Sequence, residues 1–98
     1  MAKIIDFTPG ARADFDESID WYAKRSERAA EGFADAVEEA FDKVLADPER
    51  FPTTAKGCRY CNVKRYPFRV IFLQDAMHIV IVAISHAKRR PGYWHYRV

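Results

Sequence analysis

Two runs dense in β-branched and aromatic residues, Phe68 to Leu73 and Met77 to Ser85, are separated only by Gln74, Asp75 and Ala76. A gap that short between strand-forming runs leaves the chain little choice but a β-hairpin. Taken with Asp75 and Ala76 as a two-residue loop, the hairpin pairs Gln74 with Met77 and sets Arg69 opposite Val82, on the face that carries Ile71, Val80, Ile84 and His86. Arg69 and His86 then point the same way. A three-residue loop would send His86 to the other face, since a slip in register reverses which side chains look outward. Directly after the second strand come Lys88, Arg89, Arg90, a Pro91-Gly92 turn and an aromatic tail from Tyr93 to Tyr96. Any chemistry the chain performs is expected here, at the end of the hairpin.

The upstream half supplies what a sheet of this kind needs to cover it. Lys3 to Phe7 is apolar enough for a short first strand. Thr8 followed by Pro9 marks a helix start, a hydroxyl to cap the first free amides and a proline preset for the first helical position. Ala11, Phe15, Ile19 and Tyr22 recur at helical spacing, with Asp14, Asp16 and Glu17 early and Lys24 and Arg25 late, charges that complement the helix dipole. Ser26 caps a second helix whose stripe runs through Ala29, Phe33, Val37, Ala40, Phe41, Val44 and Leu45. Its opposite face, with Glu31, Asp35, Glu38, Glu39 and Asp42, reads as solvated surface. Asp47 and Pro48 end it, because the residue before a proline is pushed out of helical geometry. Phe51 is placed to plug the edge of the core, and Cys58 to Lys64 forms a further strand. The predicted order is β-α-α-β-β-β: an α+β domain spanning 1–98, a helical hairpin on a mostly antiparallel sheet, with a short C-terminal tail.

Charge is divided between the halves. Met1 to Ala55 carries a net −6 and Lys56 to Val98 a net +8, which favours an anionic partner, nucleic acid or an acidic protein segment, on the sheet side. The longest apolar run, Ile79 to Ile84, is too short to span a membrane. The first residues lack the apolar core and small-residue cleavage site of a signal peptide, so a cytoplasmic location is expected.

Cys58 and Cys61 have the spacing of metal and redox sites, yet residues three apart on a strand point to opposite faces and no second pair is present. No metal and no cofactor are expected: a phosphate-cradling glycine loop, a nucleophile elbow and an H-E-x-x-H helix are all missing. His86 is either a general acid or base near neutral pH or a strand-end histidine satisfied by backbone. The basic company of Arg69, Lys88 and Arg89, with Tyr93 and His95 close by, raises the first possibility. Cutting RNA requires removing a proton from a 2′-hydroxyl, stabilising charge on the phosphate oxygens and protonating the leaving oxygen, tasks suited to imidazole, guanidinium and phenol groups. Tyr93, Trp94 and Tyr96 could stack bases, although Trp94 is better placed to close the core.

The element order, the link PERFP at Pro48 to Pro52, the strand RYPFRVIF at Arg65 to Phe72 and the ending ISHAKRRPGYW at Ile84 to Trp94 resemble the RelE/ParE superfamily of bacterial type II toxin-antitoxin toxins, also called plasmid stabilisation proteins. The resemblance covers essentially the whole chain. It implies a growth-arresting toxin held inactive by a cognate antitoxin protein that covers the basic face. RelE-like members cut messenger RNA in the ribosomal A site without a metal, whereas ParE-like members poison DNA gyrase and are not nucleases. The expectation favoured here is the ribosome-associated, metal-independent endoribonuclease, with the gyrase inhibitor as the alternative. Arg69 and Arg89 match the family's phosphate-contacting arginines, Tyr93 lies near its C-terminal tyrosine, and His86 or Tyr93 would carry protons. Lys56, Lys64, Arg65, Lys88 and Arg90 would bind nucleic acid. The second-strand lysines of RelE proper fall on Tyr60 and Asn62, a loss of charge that favours the gyrase alternative.

Overall fold

The structure, a computed structural model, describes residues 4–98; Lys3, the expected start of the first strand, lies outside them. The elements are β1 (Ile4–Phe7), α1 (Pro9–Ala23), α2 (Glu27–Ala46), β2 (Arg59–Asn62), β3 (Phe68–Gln74) and β4 (His78–His86), with short 3-10 turns at Pro48–Arg50, Ala55–Gly57 and His95–Arg97. Local chemistry fixes the helix ends as the sequence predicts. Thr8 Oγ1 accepts from Ala11 N–H at 3.0 Å and Ser26 Oγ from Ala29 N–H at 3.2 Å, and α2 stops at Ala46 before Asp47-Pro48. No helix among the described residues is long and apolar enough to cross a membrane.

The sheet runs β1-β4-β3-β2, antiparallel except for the parallel pairing of the edge strand β1 with β4. One face is covered by the helices. Phe33, Val37, Ala40 and Val44 of α2 pack on Phe68, Val70 and Phe72 of β3 and on Ile79, Ile81 and Ile84 of β4. Phe33 is fully buried among the rings of Phe15, Tyr22, Tyr66 and Phe68, and a Cβ on Gly32 would collide with the Tyr66 hydroxyl. The second face carries a smaller cluster, Cys58, Ile71, Val82 and Ala83, closed by Tyr93 and Trp94 of the tail. Trp94, 4% exposed, thus closes the core. Cys58 and Cys61 fall in opposite clusters, as strand alternation requires.

The central hairpin departs from the expected register in two ways. Its turn is longer: Asp75 Oδ1 accepts from the N–H groups of Met77 and His78, and Gln74 pairs with Ile79 instead of Met77. That moves the register by two residues, which leaves every side chain on its expected face. The second departure is a bulge. Phe72 pairs with Ile81 and Ile71 with Ala83, so Val82 is an extra residue in β4. This single-residue shift reverses all that follows. Arg69 now stands opposite Ser85, while His86 pairs with Phe68. Arg69 is on the open face with Ile71; His86 is on the helix face. The same-face placement of these two is thereby corrected.

Beyond Ile81 the strand β1 has ended, and the second half of β4 needs other partners along that edge. Val82 C=O accepts from Thr8 Oγ1 and from Arg97 Nη1, both at 3.1 Å, and Ile84 N–H donates to Asp14 Oδ2 at 3.1 Å. Arg97 and Asp14 are themselves paired, Nη1 to Oδ2 at 2.8 Å and Nη2 to Oδ1 at 3.3 Å. A helix carboxylate and a tail guanidinium therefore stand in for the missing strand. A Cβ on Gly10 would run into the Arg97 guanidinium, so the first turn of α1 must be bare there.

Candidate functional site

Where β3 begins and β4 ends, the open face is hollowed into a cleft of about 680 Å³, bordered by Tyr60 and Asn62 of β2, Arg69 of β3, Ser85 of β4, and Arg89, Arg90 and Trp94 beyond it. Three arginines and two histidines border it and no carboxylate does. None of the ion pairs among the described residues involves Arg69 or Arg89. Both guanidiniums are instead held on aromatic rings. The Arg69 guanidinium carbon lies 4.2 Å from the Tyr60 ring centroid and that of Arg89 lies 4.0 Å from the Tyr93 centroid. Cation–π contact of this kind steadies a guanidinium without neutralising it, leaving its N–H fork for a carboxylate, phosphate or sulfate. Tyr60, one of the positions where the lysines of RelE proper are missing, is here a support for Arg69.

Of the residues expected to carry protons, His86 borders the cleft from the end of β4 and Tyr93 does not line it. The His86 ring packs edge-on against Phe68, centroids 4.9 Å apart, and also borders a separate apolar hollow of about 530 Å³ formed with Trp21, Tyr22 and Pro67. Its Nδ1 accepts from Lys88 N–H at 3.0 Å. In the neutral ring that bond places the proton on Nε2. Tyr93 is withdrawn in a different way. Its hydroxyl donates to Asp14 Oδ2 at 2.9 Å in the interior, and burial, the Asp14 charge and that hydrogen bond push its pKa up to about 12. A phenol so held stays protonated and committed at neutral pH. It serves as structure on the tail side of β4.

The remaining basic residues are dispersed. Arg90 borders the cleft with Arg89, while Lys88 borders the apolar hollow on the helix side. Lys56 and Arg65 are exposed at turns with left-handed backbone, φ 62° and 73°, and Lys64 is exposed beside Arg65. None of these three lines the cleft. Both thiols are buried, which raises the pKa of each, and no cluster of His, Cys, Asp or Glu among the described residues is suited to a metal.

Sequence patterning gave Asp14 the role of a helix-dipole charge, and the structure corrects it. Asp14 is 6% exposed and receives bonds from Ile84, Tyr93 and Arg97. One signal was available: three residues after Ala11 and next to Phe15, Asp14 falls at the edge of the apolar stripe of α1, where a lone carboxylate demands a buried partner. Burial works against the Arg97 charge, but its hydrogen bonds to Asp14 outweigh that and raise its pKa. The partner, 83 residues away, left no local trace.

Comparison with known proteins bears on the branch. The family model of the ParE toxin of type II toxin-antitoxin system, parDE, matches residues 5–91. A solved structure described as "Chromosomal ParDE TA system from P. aeruginosa" superposes with a TM-score of 0.75 at 22% identity, covering 89% of this chain and 98% of that one, a likeness of fold. No curated protein matches the chain. The match is to the alternative branch of the sequence-based expectation and gives no support to the RelE-type ribonuclease. With a family model spanning most of its length, this chain belongs to the ParE toxin family of type II toxin-antitoxin systems.

Proposed function

We propose that the chain arrests growth by binding DNA gyrase, with no cleavage chemistry of its own, and that a cognate antitoxin protein silences it by covering the basic cleft. The observation that carries this reading is that the proton-carrying groups RNA cleavage would need are already engaged elsewhere. Arg69 opens onto the cleft, His86 borders it from the helix-face register with its Nδ1 already bonded to Lys88 N–H, and the Tyr93 hydroxyl is buried on Asp14. What remains in the cleft is a pair of arginines without internal counter-ions, a device for gripping anionic groups. Membership of the ParE family supports the same target, and the net +8 of the C-terminal half supplies a steering field toward an acidic surface. Arg69 and Arg89 are the gripping residues, Arg90 adds to the local field, and Lys64, Arg65 and Lys88 extend it around the sheet's end, whereas Lys56 neighbours Gly57 in the hollow at the β3–β4 turn.

The test uses the purified chain in two reactions run side by side. With gyrase and relaxed plasmid, supercoiling stops and cleaved DNA complexes accumulate; with programmed ribosomes, the A-site message stays whole. Unimpeded supercoiling at large toxin excess, or a message cut at the A site, overturns the proposal.

A further inference from the structure

Arg89 sits on an exposed turn after β4, where a long side chain ordinarily sweeps through solvent and loses much of that freedom on binding. Here its guanidinium rests on Tyr93, and Tyr93 cannot move. The ring is 8% exposed, its hydroxyl is bonded to Asp14, and the Arg97 guanidinium carbon lies 5.0 Å from its centroid. Asp14 is fixed in turn by Ile84 N–H and by Arg97. We propose that Tyr93, anchored by Asp14, is a positioning residue for the cleft: its ring is the shelf that holds Arg89 ready to grip an anionic group of the partner. A carboxylate on helix α1 thus governs binding on the far face of the sheet. The inference rests on the cleft being an anion-gripping surface, but not on gyrase being the target. Arg69 has its own shelf in Tyr60 on β2, and Tyr60 shares no bond with Asp14, so Arg69 serves as an internal control.

The probe is a fluorescently labelled heparin hexasaccharide, whose sulfates stand in for the partner's anionic groups, titrated into the full-length chain. Tyr93→Leu is expected to weaken binding about two- to five-fold, the loss of one partly exposed cation–π contact. Combined with Arg89→Ala it should add nothing to the effect of Arg89→Ala alone, whereas with Arg69→Ala the two losses should multiply. Tyr93→Phe, which keeps the ring but gives up the Asp14 anchor, should show a smaller loss than Tyr93→Leu, and an affinity equal to wild type would mean that Asp14 has no part in the positioning. Losses that multiply in both pairs would mean that Tyr93 only holds the fold, and no binding of the hexasaccharide by the wild-type chain would overturn the proposal outright. Should Tyr93→Leu not fold, NMR of the wild-type chain decides: ring-current displacement of the Arg89 side-chain protons supports the shelf, and random-coil shifts overturn it. A chain that leaves gyrase untouched yet shows this coupling would sink the proposed target while leaving the positioning role intact.

Discussion

Replacing Arg97 by alanine asks whether the pair that seals the free half of β4 contributes what its burial implies. In the wild-type chain Asp14 accepts four hydrogen bonds: from Ile84 N–H, from the Tyr93 hydroxyl and two from Arg97. Arg97→Ala removes two of these, the whole ionic partnership, and one of the donors to Val82 C=O. What stays behind is a carboxylate 6% exposed, held by two neutral donors, while Thr8 Oγ1 still satisfies Val82. Removing one partner of a buried pair costs about 3–5 kcal/mol. The surviving bonds put this variant at the lower end, about 3 kcal/mol, which for a domain of this size is a fall in Tm of roughly 12–24 °C. Urea unfolding followed by the fluorescence of buried Trp94 measures it, with an unchanged m-value certifying the same two states. Asp14→Ala should cost more, about 4–5 kcal/mol, since it strands Ile84 N–H, the Tyr93 hydroxyl and the guanidinium together. The double variant should cost less than the sum, because the two residues act as one unit. An Arg97→Ala chain within about 0.5 kcal/mol of wild type would refute this account of how β4 is sealed.

Gly10→Ala sets two effects against each other. Alanine is favoured over glycine in a helix by about 1 kcal/mol, but its Cβ must displace Arg97 from Asp14; the larger ion-pair loss should win, with a net destabilisation of about 2 kcal/mol in the same urea assay. Tyr93 predicts an alkaline signature. Its folded pKa of about 12 lies above the ordinary 10, so the protonated form is favoured in the fold, its contribution is complete below pH 10, and stability is lost as pH rises from there toward 12. The wild-type chain should lose on the order of 2 kcal/mol more than Tyr93→Phe across that interval, and parallel pH profiles would count against it. Cys58 and Cys61, buried in separate clusters, should react with a thiol reagent only on unfolding and bind no zinc; rapid labelling of both in the native chain would contradict their placement.

Much of the fold was written in short-range chemistry. Thr8 and Ser26 announced the helix starts, Asp47-Pro48 announced a stop, and the alternation around Cys58 and Cys61 foretold that the thiols would diverge. The candidate site was less legible, for two physical reasons. The bulge at Val82 lies inside an unbroken apolar run, Ile79 to Ile84, where no glycine, proline or polar residue marks a change of phase. Counting by two along such a strand cannot detect one inserted residue, and that residue decided where His86 points. The second reason is distance along the chain. Asp14, Tyr93 and Arg97 meet across about eighty residues, a contact that requires the whole sheet to exist first. The family resemblance that offers Tyr93 as a proton carrier holds no sign that its hydroxyl is bonded to Asp14 in the interior.

The comparison of Arg69→Ala with His86→Ala goes directly to whether the open-face cleft binds or cuts. Both variants are assayed for growth arrest on expression and, as purified chains, for the concentration that halves gyrase supercoiling. Arg69→Ala should raise that concentration about ten-fold or more, the loss of a charge-assisted contact, and blunt growth arrest, while His86→Ala stays within about two-fold of wild type in both assays. The contrary result, arrest abolished by His86→Ala with supercoiling indifferent to Arg69→Ala, would mean that the imidazole performs chemistry and that the binding account is wrong.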